Sequence, residues 1–392
     1  MHLKALTLIG MMISIVTGIT VGVLWHQRAD DGLGASADKT LGAALREVQT
    51  NYVHNISEEQ LIDFAISGMM QGLDEHSDYL NKRDFKALEA NTTGEFGGIG
   101  IELGLVDDLF TVIAPIDNTP ADRAGIRAGD RITSVEGVPL RNKKLIEVIR
   151  TMRGKPGTEL TLKIQREEQP QPFELSIVRE TIKVSSIKSE LLEPGIGYLR
   201  ISQFQTNTSD DLENALETLV SESATQLEGV ILDLRNNPGG TLVSSVEVVD
   251  LFLNQGLIVS TKGRLKSSST KYRATHGDQL AGAPMVVIIN GGSASASEVV
   301  AGALQDHGRA TLIGSTSYGK GSVQSVVPLN SDQALKITTA HYFTPLGRMI
   351  HQTGIQPDVA LDLNDEELMA AAVDLLRSKG QDQQALRVEL AD

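Results

Sequence analysis

The sequence predicts an α/β fold, and three observations carry that expectation. From Glu180 onward, short apolar runs of β type alternate with stretches of helical periodicity, the pattern of strand–helix–strand units. One such run, Met285 to Ile289, feeds Asn290-Gly-Gly-Ser293-Ala-Ser295-Ala-Ser297-Glu298, after which a helical pattern continues to Asp306, so a strand, a tight small-residue turn and a helix follow in order. Between Gly94 and Arg179 the pattern changes to short alternating strands punctuated by glycine, which sets a β-rich segment apart from the α/β core.

Length and composition bound what such a chain can do. Its 392 residues suffice for two or three domains, each with its own core. The formal net charge of −15 lacks the basic balance of a nucleic-acid binder, so nucleic acid is not an expected partner. Cysteine is absent, which removes disulfides, thiol nucleophiles, cysteine metal sites and lipidated cysteines, and fits an oxidising compartment.

The elements follow in order. Ala5 to Trp25 carries no charge, is preceded by Lys4 and followed by Arg28, Asp30 and Asp31, and is long enough to cross a bilayer as a helix. Residues 1–28 therefore read as a signal anchor or signal peptide. The one A-x-A pattern, Ala35-Ser36-Ala37, lies beyond the charged stretch, which favours an uncleaved anchor. Lys4 would then stay in the cytoplasm, with everything after Arg28 in the periplasm or cell exterior; a cleaved signal would release a secreted or periplasmic protein. Residues 38–92 read as helical: Leu41, Leu45, Val48 and Tyr52 repeat at helical spacing, and Ser57-Glu58-Glu59-Gln60 opens a second helix through Met69 and Met70. So small a region needs a partner for its apolar faces, either the rest of the chain or a second copy. Leu73-Asp74-Glu75-His76-Ser77-Asp78 reads as a polar turn rather than a His-Asp site.

In residues 94–179, Phe96-Gly97-Gly98-Ile99-Gly100-Ile101 combines glycines, which let a loop turn its N–H groups to one side, with a strand edge after it. Ala124-Gly125-Ile126-Arg127-Ala128-Gly129-Asp130-Arg131-Ile132 leads into a strand, Thr133 to Gly137, and Asn142 to Arg153 is helical. Together these resemble a PDZ domain. The resemblance implies capture of an extended chain end by strand addition, with Phe96 to Ile101 as the substrate-binding stretch.

The core spans residues 180–363, with expected strands Gly197 to Ile201, Val230 to Leu234, Met285 to Ile289, Ala310 to Ile313, Val323 to Val327 and Leu335 to Phe343. Helical runs cover Ser209 to Ser221, Leu242 to Leu253 and Ser297 to Asp306. Asp233-Leu234-Arg235-Asn236-Asn237-Pro238-Gly239-Gly240-Thr241 is a strand end turning into a helix, its glycines able to bring backbone N–H groups near a ligand. Leu265 to His276 is polar and reads as an exposed loop. Residues 364–392 read as an amphipathic helix and a polar tail.

The chemistry centres on the serines after Asn290. The first N–H groups of a helix lack intrahelical partners and carry the positive end of the dipole, which suits them to an oxyanion. A serine there is a nucleophile only if a base takes its proton; otherwise Ser295-x-x-Glu298 is a capping box. None of the eight histidines is compelling: His307 fits a helix C-terminus, and His341 and His351 lack metal-ligand spacing. Lys320, between two glycines in Ser317-Tyr-Gly-Lys-Gly-Ser-Val-Gln324, has no acidic neighbour in sequence. Burial that keeps such a lysine neutral near pH 7 destabilises its ammonium by roughly 4 to 5 kcal/mol. Gly314 to Lys320 also approaches a phosphate loop, but Gly321 stands where the magnesium-binding hydroxyl belongs and a strand, not a helix, follows.

With Tyr342-Phe-Thr-Pro-Leu-Gly-Arg348 and the PDZ-like segment, these motifs make residues 38 to 363 resemble the carboxyl-terminal processing peptidases, or tail-specific proteases. The resemblance implies a crotonase/ClpP-like ββα-spiral core with an inserted PDZ domain. It implies Ser295 as nucleophile, Lys320 as general base, Gln324 as the residue orienting the lysine, and an oxyanion hole from Ala296 N–H and either Gly239 or Gly240. Glu75 departs from the family, which often has proline there. Expected partners are protein substrates held by their C-terminal tails, the membrane through the N-terminal segment, and a second copy or an activating partner; neither metal nor cofactor is expected. The alternative is a PDZ adaptor on an inactive protease-like scaffold.

Overall fold

The computed structural model describes residues 35–141, 143–223, 227–275 and 277–389. The apolar segment Ala5 to Trp25 lies outside the described residues, as do Asn142 and His276. No helix among the described residues is long and apolar enough to cross a membrane. The chain divides into two units, Met1–Tyr79 and Leu80–Asp392.

The first unit holds the helices Ala35–Asn51 and Glu58–Gln71. Ser57 caps the second: its hydroxyl accepts the Gln60 N–H at 3.2 Å and Gln60 Oε1 accepts the Ser57 N–H at 3.2 Å, closing both arms of the expected capping box. Asp74 Oδ1 accepts the His76 and Ser77 N–H groups at 2.8 Å each, an Asx turn of the kind the polar composition predicts.

The second unit contains the α/β core. Its main sheet runs, in spatial order, Ile187–Glu193, Ile196–Ile201, Gly229–Asp233, Met285–Ile289, Thr311–Gly314 and Val359–Ala360. All neighbours are parallel except the antiparallel edge strand Ile187–Glu193. Every residue of Gly229–Asp233 and Met285–Ile289 is buried, because both faces of the sheet are covered. The side chains sort with period two. Val230, Leu232, Met285, Val287 and Ile289 join Leu212, Leu216, Val248, Val300 and Leu304 from the helices Thr208–Glu222, Leu242–Asp250 and Ala296–Asp306 in one core. Ile231, Val286 and Ile288 face the other way, onto Leu368, Ala372, Val373 and Leu376 of the helix Asp365–Glu389.

A second, antiparallel sheet brings together Gly256–Gly263, Lys271–Ala274, Ser322–Pro328 and Ala334–Phe343. Here the sequence reading is corrected: within the expected loop Leu265 to His276, a short 3-10 turn, Lys266–Ser268, leads into the strand Lys271–Ala274. That strand pairs with Gly256–Gly263 on one side only, and its exposed Lys271 and Arg273 alternate with half-buried Tyr272 and Ala274. One-sided burial gave it too few apolar residues to read as a strand.

The glycine-punctuated segment forms its own sheet, in the order Ile101–Val106, Leu109–Pro115, Arg131–Val135, Glu159–Gln165 and Phe173–Val178, with Val138–Pro139 beside Arg131–Val135. Its core is Ile99, Phe110, Val112, Ile132, Val148 and Leu162 among others, and the helix within Asn142 to Arg153 runs Leu145–Met152. Asp130 explains the Ala-Gly-Ile-Arg-Ala-Gly-Asp signature. Almost wholly buried, its carboxylate takes a two-pronged contact from Arg166 at 2.7 and 2.8 Å and accepts the Arg127 N–H at 2.9 Å. Gly129, at φ +86°, makes the turn that presents it.

Candidate active site

The candidate site gathers where the strands Gly229–Asp233 and Met285–Ile289 end. Each runs into a glycine-containing turn and then a helix, and the two turns are sewn together. Asn236 and Asn290 exchange bonds at 2.9 and 3.0 Å, the Ala294 N–H meets Asn237 O at 2.9 Å, and Asn237 Nδ2 reaches Ile201 O at 2.9 Å.

Of the three serines, two are engaged in this stitching. Ser293 Oγ donates to Leu234 O at 2.8 Å and accepts the Asn290 N–H at 3.0 Å, while Ser297 Oγ donates to Asn237 O at 2.9 Å. Ser295 differs. It precedes the helix Ala296–Asp306 at φ +56°, ψ −109°, a backbone conformation that costs a non-glycine residue about 1–3 kcal/mol. The strain is held from both sides: Glu298 Oε2 accepts the Ser295 N–H at 2.8 Å, and Ser295 O accepts the Glu298 and Val299 N–H groups at 2.9 and 3.1 Å. The Ala296 N–H has no intramolecular acceptor among the described residues.

Gly239 and Gly240 lie against this turn. A Cβ on Gly239 would come within 2.9 Å of Ser295 Cβ and 3.0 Å of Ala296 N, and one on Gly240 within 2.0 Å of Phe204 O, so neither position admits a side chain. The Gly239 N–H is taken by Asn237 Oδ1 at 2.9 Å. The Gly240 N–H has no intramolecular acceptor among the described residues, which separates two glycines the sequence left equivalent.

Lys320 follows the strand Thr311–Gly314 in an irregular segment, and the strand Ser322–Pro328 comes next, so no helix lies beneath the phosphate-loop-like glycines. Burial pushes the Lys320 ammonium below the ordinary lysine range; the like charge of Lys336 pushes the same way and Glu298 opposes both. Lys320 Nζ makes no ion pair or hydrogen bond among the described residues, and none joins it to Ser295 Oγ. Glu298 fixes the lysine segment through its backbone. Oε1 accepts Ser317 Oγ and the Gly319 N–H at 2.6 Å each, and Oε2 accepts the Lys320 N–H at 2.9 Å beside that of Ser295. Burial raises the Glu298 pKa, and these donors counter it.

Glu298 is thus the joint between Ser295 and the lysine segment, and the sequence signal for it was the capping box, whose glutamate does more than cap. Tyr342 was missed as a neighbour of the serine. Burial pushes its phenol up to about 12, a hydrogen bond with Ser295 acts the other way, and its N–H meets Gly321 O at 2.8 Å. Its place in the antiparallel sheet, far along the chain, leaves no local signal. Gln324 Nε2 donates to Ser322 Oγ at 2.9 Å and Thr338 Oγ1 at 3.4 Å, and no hydrogen bond among the described residues joins it to Lys320.

The expected tail-binding loop is shorter than its motif. Phe96, Gly97 and Gly98 lie in the strand Glu95–Gly98, paired with Glu180–Lys183, because glycines with a partner strand in reach extend as readily as they turn. Only Ile99 and Gly100 stand between strands. Ile99 buries its side chain in the domain core, and Gly100 turns at φ +80°. Their carbonyls accept the Ala121 and Ile116 N–H groups at 2.8 and 2.9 Å, and their own N–H groups have no intramolecular acceptor among the described residues. Ile101 starts the strand Ile101–Val106, an edge of its sheet.

A strained serine opening a helix beside free N–H groups, on an α/β core that carries a separate β module, is the arrangement of a serine hydrolase with a peptide-binding appendage. Comparison with known proteins gives the family. The profile of peptidase family S41 matches residues 195–361, and that of the PDZ domain matches residues 111–166. A carboxy-terminal-processing protease of Bartonella bacilliformis is 46% identical over 322 residues, covering 82% of this chain and 74% of that protein. The carboxy-terminal processing protease CtpA of Bacillus subtilis is 32% identical over 333 residues, 85% of this chain and 70% of that protein. Among solved structures, a photosystem II D1 C-terminal processing protease aligns with a TM-score of 0.47 at 29% identity, covering 83% of this chain and 88% of that one. The chain belongs to the carboxy-terminal processing proteases of peptidase family S41 and is a serine peptidase with a PDZ domain.

Proposed function

We propose that the protein is an endopeptidase that captures protein substrates by their C-terminal tails and cleaves them with a Ser295–Lys320 dyad. The observation that supports this most is the division of labour among the three serines: Ser293 and Ser297 are committed to backbone carbonyls, while Ser295 is held strained next to a free Ala296 N–H. In this reading Lys320, whose burial favours its neutral form, takes the Ser295 proton as Oγ attacks the scissile carbonyl. The Ala296 and Gly240 N–H groups receive the oxyanion. The lysine then protonates the departing amine, and a water activated by the same lysine hydrolyses the acyl-enzyme. Gln324 would orient the lysine after a shift of its side chain away from Ser322. The N–H groups of Ile99 and Gly100 supply donors for the tail's carboxylate, and the Ile101–Val106 edge supplies its main-chain partner. The Ala5 to Trp25 segment would anchor the protein in the cytoplasmic membrane, with the catalytic domain in the periplasm or cell exterior.

The test is a peptide-cleavage assay on Ser295→Ala, Lys320→Ala and Lys320→Arg. Arginine stays charged and cannot accept a proton, so all three variants should fold, bind a tail peptide and lose activity by more than roughly a hundredfold. Near-normal turnover in Lys320→Arg would show that the lysine serves only as a positive charge, and substantial turnover in Ser295→Ala would displace the nucleophile.

A further inference from the structure

His341 and His351 show no metal-ligand spacing in sequence, yet the fold stacks them. His341 lies on the strand Ala334–Phe343 and His351 in the turn that follows it. Their ring centroids are 5.0 Å apart, with planes tilted by 43°. The Nδ1 atom of each is buried without a hydrogen-bond partner, a condition shared among the described residues only by Ser244 Oγ. A buried polar atom left unpaired costs free energy and calls for an occupant. Two such atoms on adjacent imidazoles are an unusual concentration of that cost.

The ring separation bears on what the occupant is. Two imidazoles sharing one zinc ion at about 2.0–2.1 Å, with a near-tetrahedral angle between them, have ring centroids about 5 Å apart. We propose that His341 and His351 form a binding site for a zinc-class divalent ion through their Nδ1 atoms, behind the segment that carries Lys320. The site is tied to that segment on both sides. His341 is register-paired with Ser322, and a Cβ on Gly321 would lie 2.2 Å from His351 N. No cluster of three or more His, Asp or Glu among the described residues can hold a metal, so water completes the coordination and binding is weaker than at a structural zinc centre. A water bridging the two Nδ1 atoms is the competing occupant.

The test titrates Zn²⁺ into the chelator-stripped full-length protein by calorimetry, with imidazole ¹⁵N spectra recorded in parallel. The expected result is saturable binding of one ion that His341→Ala and His351→Ala each weaken by roughly tenfold or more. In the unmodified protein, the Nδ1 resonances of the two histidines should shift together along the titration, a readout that does not depend on either variant folding. Absence of saturable binding, affinity that both variants retain, or Nδ1 resonances of this pair that do not move would each overturn the proposal.

Discussion

Replacing Glu298 by glutamine tests the joint between Ser295 and the Lys320 segment. As a carboxylate, Glu298 offers two oxygens to four donors: Ser317 Oγ and the Gly319 N–H on one, the Ser295 and Lys320 N–H groups on the other. Glutamine keeps one oxygen. With that oxygen in the Oε2 position, its NH₂ faces Ser317, whose hydroxyl can turn to accept, and the Gly319 N–H, which cannot. One stranded buried backbone donor costs about 1–3 kcal/mol. The opposite orientation strands the Ser295 and Lys320 N–H groups together, about 2–6 kcal/mol, so the first should prevail. Urea unfolding should therefore show a loss of about 1–3 kcal/mol at unchanged slope. A second, independent effect follows from charge. Glu298 opposes the depression of the Lys320 pKa, so removing its charge lowers that pKa further and extends the neutral lysine to more acid pH. The acid limb of kcat/KM should move to lower pH even as kcat falls. Stability within about 0.5 kcal/mol of wild type, together with an unmoved acid limb, would refute the assignment of Glu298 as the joint.

Lys336→Gln should do the reverse: losing the like charge lets the Lys320 pKa rise, so the acid limb moves to higher pH, and an unmoved limb would assign that titration to another group. Gly239→Ala places a Cβ 2.9 Å from Ser295 Cβ at φ +101°; peptide cleavage should fall by more than roughly a hundredfold at a stability cost of about 1–3 kcal/mol, and an active variant would show that the turn yields. Amidating a substrate's C-terminus should weaken tail binding by roughly one to two orders of magnitude, measured by fluorescence anisotropy, and equal affinity for acid and amide would place the recognition in side-chain pockets instead.

What the sequence disclosed depended on how local each constraint is. Met285–Ile289 was legible because it is buried on both faces, and the Asn290 to Glu298 turn because the small residues it needs are adjacent in the chain. Lys271–Ala274 was hidden because one-sided burial gives it a polar sequence. Lys320 looked free of acidic neighbours for the same reason that Glu298 looked like a mere cap: the bonds between them join residues 22 apart, and sequence spacing does not show them. Tyr342 and the His341–His351 pair depend on strand register and a returning turn, and no periodicity encodes them. The Phe96 to Gly100 stretch is locally ambiguous in another way. Its glycines are as compatible with the strand Glu95–Gly98 as with a loop, and the partner Glu180–Lys183 decides between them.

The site also shows where its strain is balanced. A non-glycine residue at φ +56°, ψ −109° relaxes unless its surroundings over-determine it, and the bonds that hold Ser295 there run to Val299 and to Glu298, whose carboxylate also holds the lysine segment. One buried carboxylate, accepting both the Ser295 and the Lys320 N–H groups, therefore contributes to keeping the serine strained and to positioning the lysine segment. Loosening either end loosens the other, and the two cannot be mutated additively. A pair of variants at the two ends, Ser317→Ala at the lysine side and Gly239→Ala at the serine side, should show a coupling of at least about 0.5 kcal/mol in a double-mutant cycle on kcat/KM, although Ser317 Oγ and Gly239 bond to different partners. Additive losses would mean that Ser295 and Lys320 are held by separate scaffolds, and that Glu298 merely touches both.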